Sequence, residues 1–323
     1  MKLTVKELIF DTEHAPCPSH HASTLAMLPD GEVIAAWFGG THENDPDVEI
    51  WCSVRKKDGR WTAPVMVSDK SGTACWNPVL IAEGDGARIF YKRGVDVPDW
   101  NTWTRHLTFA DGKLVLSEER ELVPGDVSGG RGPVKNKPIF LSDGTLLAGA
   151  SHEYHDGKWL AFADRSTDGG KTWERTDYLA AEEGVNLIQP TLWEDATHGV
   201  HMLLRSNQGV IFRADSADMG KTWSPARRTT LSNNNSGIDL VKMPDGRLAL
   251  VCNPVSGNWA KRTPISLFLS SDNGDTWEKE LDLETADGEF SYPAVIWDGE
   301  KLRCTFTYDR RSVMYCEITV SKD

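Results

Sequence analysis

Ser166-Thr-Asp168-Gly-Gly170-Lys-Thr172-Trp173 decides the fold, because it returns twice. The copies are Ser216-Ala-Asp218-Met-Gly220-Lys-Thr222-Trp223 and Ser270-Ser-Asp272-Asn-Gly274-Asp-Thr276-Trp277. All three obey S-x-D-x-G-x-T-W, and fixed positions recurring at a steady interval are the signature of a repeat architecture. Each octet reads as a turn between two strands. The Asp accepts hydrogen bonds from turn amides, the Gly permits positive φ, and the Trp fills the space between neighbouring sheets. The same apolar strand pattern flanks every copy, which three unrelated surface turns would not share.

A second repeat is an apolar strand, a tight turn (usually Asp-Gly) and another apolar strand, the strongest short-range hairpin signal. It is centred on Asp30-Gly31, Asp85-Gly86, Asp143-Gly144, His198-Gly199, Asp245-Gly246 and Asp298-Gly299. A third strand follows each hairpin, then an octet or a degenerate version such as Lys57-Asp-Gly-Arg-Trp61, then a fourth strand. Four antiparallel strands repeated six times make an all-β fold, a six-bladed β-propeller in a single domain over residues 1–323. The sixth unit ends at Val313–Val320 with no fourth strand left. The orphan segment Leu3–Phe10 can supply it, closing the ring and removing the open edge.

Charged residues make up 26% and hydrophobic ones 39% of the 323 residues, the balance of a soluble globular protein. No apolar run is long enough to cross a bilayer, and the alternating start Met1–Phe10 lacks a signal-peptide core. A cytoplasmic protein is therefore expected. A net charge of −13 argues against nucleic acid as a partner, while a local cluster of Arg and Lys can still hold a small anion. The six cysteines form no C-x-x-C pair and read as reduced core thiols, with a Cys304–Cys316 disulfide possible but disfavoured. His14, Cys17, His20 and His21 match no common zinc spacing. No metal or cofactor is expected, and oligomeric state is silent.

Propeller topology brings the starts of first strands, the ends of second strands and the starts of third strands to one face. That face carries the polar residues His21, Asn77, Asn136, Lys137, Gln189, Asp239 and Tyr292. It also carries the loop Gly39–Asp47, His152-Glu153, Arg205, Arg262 and Arg310-Arg311. Each alone is more often a solvated or satisfied group; a set converging from six blades points to a site at the mouth of the channel.

The octets resemble the Asp box of the sialidase superfamily. The likeness extends to His21-Ala-Ser-Thr-Leu, Trp37-Phe-Gly-Gly-Thr41, Trp76-Asn-Pro-Val-Leu80, Lys135-Asn-Lys-Pro-Ile139 and Ser291-Tyr-Pro-Ala294, in particular to the BNR-repeat sialidase-like proteins. Sialidases hold a substrate carboxylate with three arginines and use an Asp acid/base and a Tyr nucleophile activated by a Glu. By resemblance Arg205 and Arg262 match the second and third arginines, Tyr292 the nucleophile and Asp47 the acid/base. Asn77, Gln189, Asn136, Lys137, Asp239, Arg310 and Arg311 complete the expected contacts to a small acidic oligosaccharide.

Two positions depart from that pattern. The first arginine slot reads His21-Ala-Ser, and Gln189 replaces the activating Glu. A Gln cannot take a proton at neutral pH, and a Tyr without a base is a weak nucleophile. Elimination at a uronate fits the surviving residues better. Arginines and amides neutralise the carboxylate, which acidifies the adjacent C–H, while Tyr292 and His21 serve as acid and base. Lyases acting on rhamnose–glucuronate linkages are known among sialidase-like propellers. Exo-sialidase hydrolysis and a non-catalytic glycan-binding propeller are the alternatives, and a protein-interaction scaffold is a third.

Overall fold

The computed structural model describes residues 1–320 and consists of six antiparallel sheets, with two three-residue 3-10 turns as the helical content among them. Blade 1 takes its strands from Ser19–Met27 to Val65–Met66. Blade 2 begins at Cys75–Glu83 and carries a fifth strand, Lys113–Leu116, paired on the flank of Asn101–Ala110. Blades 3, 4 and 5 begin at Ile139–Phe140, Leu187–Glu194 and Asp239–Lys242, and blade 6 at Phe290–Trp297. The fourth strand of blade 1 is shorter than the sequence suggests: Pro64 precedes Val65, and Trp61 makes only an isolated bridge to Arg55.

The ring closes as expected. Lys2–Leu8 pairs antiparallel with Ser312–Thr319, Leu3 opposite Ile318 and Leu8 opposite Met314. All six cysteines are free thiols; Cys304 and Cys316 face each other across two paired strands.

The octets act as struts between blades. In the first, Asp168 Oδ1 accepts from Ser166 Oγ, Lys171 N and Thr172 N, and Oδ2 accepts from Thr172 Oγ1. Gly170 sits at φ +82°, with the Arg88 guanidinium of blade 2 packed where a side chain would point. The tryptophans reach the preceding blade. Trp173 packs on Phe90 of blade 2 and Trp277 joins the cluster around Trp193 of blade 4. Trp61 meets Tyr315 of blade 6 edge-on, at 5.2 Å between ring centroids.

Along the axis, polar side chains tie inner strands together. Asp239 of blade 5 accepts from Lys137 Nζ of blade 3 (2.7 Å), Thr191 Oγ1 of blade 4 (2.9 Å) and Val295 N of blade 6 (2.9 Å). Lys137 also borders an apolar recess with Met27, Phe140 and Trp297, at the far ends of the inner strands. Asp239 and Lys137, expected as substrate contacts, are instead spent on each other and on the channel wall. Buried charges need such partners to be tolerated at all.

Candidate active site at the channel mouth

Four inner strands share one irregularity. Pairing slips between His21 and Thr24, Trp76 and Val79, Ile188 and Thr191, and Ser291 and Ala294. At each slip one residue is left-handed: Ala22 (φ 54°), Asn77 (45°), Gln189 (54°) and Tyr292 (52°). In three of the four the next residue is Pro, which has no N–H to give the ladder, so an extra residue bulges out. A left-handed non-glycine costs roughly 1–2 kcal/mol, and the four recur in corresponding positions of four blades. The displaced backbone carbonyls are not orphaned. Asn136 Nδ2 donates to Gln189 O (2.9 Å) and Pro190 O (3.2 Å). Lys135 Nζ donates to Ile238 O (3.1 Å), to Asn136 Oδ1 (2.9 Å) and to Pro293 O. Asn136, expected to touch substrate, thus holds the bulge of blade 4.

The bulges place Gln189 and Tyr292 against Arg205, near the end of the second strand of blade 4 (Val200–Ser206). Arg205 is 2% exposed. Its Nη1 donates to Tyr292 Oη (2.6 Å) and Gln189 Oε1 (3.2 Å), and its Nε to Asn235 Oδ1 (2.7 Å). Arg262 lies over the Tyr292 ring at 5.5 Å and donates to Glu289 Oε1 at 2.6 Å. Arg310 chelates the same carboxylate through Nε at 3.0 and 3.2 Å, and its Nη1 reaches Glu43 Oε2 at 2.6 Å. It is aimed by a tight turn with positive φ at both Asp309 (49°) and Arg310 (52°), closed by Arg311 N–H donating to Tyr308 O. That turn class favours Asn-Gly, so neither residue announces it.

Three arginines therefore meet at the mouth. Arg205 and Tyr292 form the floor, while Arg262, Arg310 and Glu289 have side chains 17%, 29% and 31% exposed at the rim. Arg310 comes from blade 6 and supplies positive charge beside the slot that His21 occupies. Arg311 points elsewhere, to a surface hollow with Thr12, Ala15 and Cys17.

His21 is 1% exposed, with its ring 4.2 Å from that of Tyr292. Burial, and then the charges of Arg310, Arg262, Arg205 and Lys135, hold its pKa well below the ordinary value, so the ring is neutral at physiological pH. Thr307 Oγ1 accepts from Ala22 N–H (3.2 Å) and is paired with His21 Nδ1 at 2.9 Å, a bond in which either atom can donate. His21 Nε2 has no protein hydrogen-bond partner among the described residues, so the neutral ring keeps one nitrogen unengaged.

Asp47 does not fit the acid role. It is exposed and accepts from the Thr41 hydroxyl (2.7 Å) and the Thr41 backbone N–H (3.1 and 3.2 Å). The hydroxyl bond first, helped by the amide, keeps its carboxyl below the usual range. It fastens the loop that carries Glu43 to Arg310. Asn77 is 6% exposed, and no protein hydrogen bond engages its side-chain amide among the described residues.

Sequence reasoning passed over Glu289, Asn235 and Trp259. Glu289 neutralises two arginines; burial opposes its charge, but Arg262 and Arg310 still hold its pKa down. Asn235 belongs to the run Asn233–Ser236, all buried, and so many buried amides in a row was a readable signal. Trp259 is 60% exposed at φ 60° and forms an edge-on pair with Trp159, with the Arg205 guanidinium 5.4 Å from its ring. A groove of about 920 Å³ lies on the opposite face between the turns of blades 4 and 5. It is wide open and lined by surface turn residues such as Asp195, Lys242 and Asp245, without the buried, strained and convergent charges of the mouth. Among the described residues no three His, Cys, Asp or Glu side chains form a metal-holding group.

Solved structures share this architecture. A protein of unknown function from Dyadobacter fermentans superposes with TM-score 0.77 at 15% identity, covering 99% of both chains. The Hadza microbial sialidase Hz136 gives 0.78 at 16%, covering 98% of this chain and 68% of that one. Trypanosoma rangeli sialidase, in complex with the inhibitor DANA, gives 0.74 at 16% over 97% of this chain and 59% of that one. At such identities the likeness is one of fold. No curated protein matches the sequence. Residues 31–304 match the BNR repeat-like domain, which is most of the chain, and the protein therefore belongs to the BNR-repeat family with a sialidase-type propeller fold.

Proposed function

We propose that the protein is a glycan-cleaving enzyme acting on a small oligosaccharide at an acidic sugar, by β-elimination at a uronate. The observation that carries this reading is the convergence of Arg205, Arg262 and Arg310 on Tyr292 and neutral His21, with an amide, Gln189, where a base would be needed to activate a nucleophile. The arginines would bind the sugar carboxylate by charge-assisted bonds and withdraw charge from it, acidifying the adjacent C5–H. Glu289 balances the rim arginines until that carboxylate arrives.

In the step itself the Tyr292 oxygen, in its deprotonated form, takes the C5 proton, with Arg205 N–H already donating to that oxygen. The C–H pair becomes the C4=C5 double bond, and the C4–O pair departs on the leaving oxygen, which gains a proton. The unengaged His21 Nε2 is available for a hydrogen bond to the substrate. In the sialidases of similar fold the acid is a sialic acid, as in the Trypanosoma rangeli sialidase complex with sialic acid; a sialate is the natural second substrate class to test.

The test is an ultraviolet scan during incubation with sialosides and with rhamnose- or galactose-capped glucuronate oligosaccharides. Absorbance from a double bond conjugated to a carboxylate is expected with a glucuronate. Sugar release without it would replace elimination by hydrolysis. Saturable binding with no product from any acidic glycan would make the protein a binding module.

A further inference from the structure

One carboxyl at the mouth is unlike the others. Glu43 and Glu289 are ion-paired, and Asp47 is hydrogen-bonded to Thr41. Glu153 ends the second strand of blade 3 (Leu146–Glu153), directly opposite Trp159 at the start of the third. Directly paired residues project to the same face of a sheet, so the carboxyl lies beside the indole. The Trp159 ring in turn stands 5.7 Å from the Arg205 guanidinium and 6.2 Å from the ring of Trp259.

Glu153 is thus walled by an aromatic side chain at the edge of the arginine cluster, yet no hydrogen bond or ion pair engages it among the described residues. Burial raises its pKa above the ordinary carboxyl value, against the pull of Arg205 and with help from Glu43. A half-buried carboxyl with no partner, in a charged cleft, is a poor stabilising device and a good proton carrier.

We infer that Glu153 is the group that protonates the leaving-group oxygen, from the Trp159–Trp259 side of the site. This rests on the bond cleavage proposed above. The proton moves from the Glu153 carboxyl to the oxygen released from C4, as Tyr292 accepts the C5 proton. Glu153 is left as carboxylate and Tyr292 as phenol, and solvent exchanges both protons to restore the starting state. Atoms and charge balance with no further reactant. The surroundings of Glu153 favour its protonated form, while those of the ion-paired Glu289 favour the carboxylate.

The test compares two 4-O-substituted glucuronides that differ only in the group leaving from C4: a sugar, or 4-nitrophenol, which departs without a proton. Glu153→Gln should slow release of the sugar by ~100-fold or more, and leave release of 4-nitrophenol within about threefold of wild type. Glu153→Asp should regain part of the lost rate on the sugar. Equal losses on both substrates, or none on either, would overturn the assignment while the elimination reading stands. A wild-type protein that processes neither substrate would overturn the elimination reading, and this assignment with it.

Discussion

Replacing Tyr292 by Phe removes one oxygen from the centre of the site and little else. The phenol oxygen is 2.6 Å from Arg205 Nη1, a hydrogen bond to a charged donor, of a kind worth about 1.5–3 kcal/mol. Arg205 keeps Gln189 Oε1 and Asn235 Oδ1 as acceptors, so the loss belongs at the low end, ~1.5 kcal/mol. An unfolding entropy of ~2.1 cal/mol/K per residue over the 323-residue chain gives ~0.7 kcal/mol/K, hence a fall in Tm of only ~2 °C. Turnover should respond on another scale, because the oxygen that receives the C5 proton is gone: a loss of ~10²–10⁴-fold. Affinity for an acidic product analogue should persist, since all three arginines remain. Differential scanning calorimetry, ultraviolet turnover and titration calorimetry on the same preparation separate the three quantities. Turnover within tenfold of wild type would refute the role of Tyr292, and so would activity lost in proportion to a collapse in Tm.

Arg310→Gln removes one rim cation and should weaken an acidic sugar by ~10–100-fold in Kd, the equivalent of ~1.4–3 kcal/mol. The neutral alcohol analogue should bind as before, and equal weakening of both ligands would show Arg310 to be only a scaffold for its turn. His152 is buried between Tyr178 Oη (2.7 Å) and Gly130 O (2.9 Å), with burial lowering its pKa to about 4. The unfolded chain then binds the proton that the folded chain refuses. Its contribution is fully present above pH ~6.5 and is lost at ~1.4 kcal/mol per unit as the pH falls toward 4. The Tm difference between wild type and His152→Gln should shrink or invert over that window, and a difference independent of pH would sink the assignment.

The scaffold was legible where local chemistry repeats. The octets, the Asp-Gly hairpins and the apolar alternation each state a blade, and the unmatched strand at either end states the closure. The mouth was legible only in part. Arg205, Arg262, Gln189 and Tyr292 come together because strand ends converge on the axis, which topology alone requires. Lys137 and Asp239 occupy the same region of the sequence pattern, but Lys137 borders the recess at the far ends of the inner strands and Asp239 is engaged by Lys137, Thr191 and Val295 N. The inner strands of blades 3 and 5 pair without the slip seen in the other four, and no residue type encodes that difference, since Lys137 is itself followed by Pro. Arg310 owes its position to two left-handed residues in a turn whose side chains give no hint of it. Asp47 looked like an acid because it sits in the right loop; only its bonds to Thr41 show that its carboxylate is already committed. Glu289 carries its meaning through two arginines, one 27 residues before it and one 21 after it.

The closure of the ring sets the order of events in synthesis. Lys2–Leu8 leaves the ribosome about 310 residues ahead of its partner Ser312–Thr319. Until then the earliest strand has no mate, and the nascent array is an open crescent with an unpaired border at each end. Blades can form one at a time behind the exit tunnel, but the last hydrogen-bonded ladder joins the first strand of the propeller to its last. A stall or cleavage anywhere before that final strand yields a crescent rather than a smaller ring, and cellular quality control can recognise it by its exposed borders.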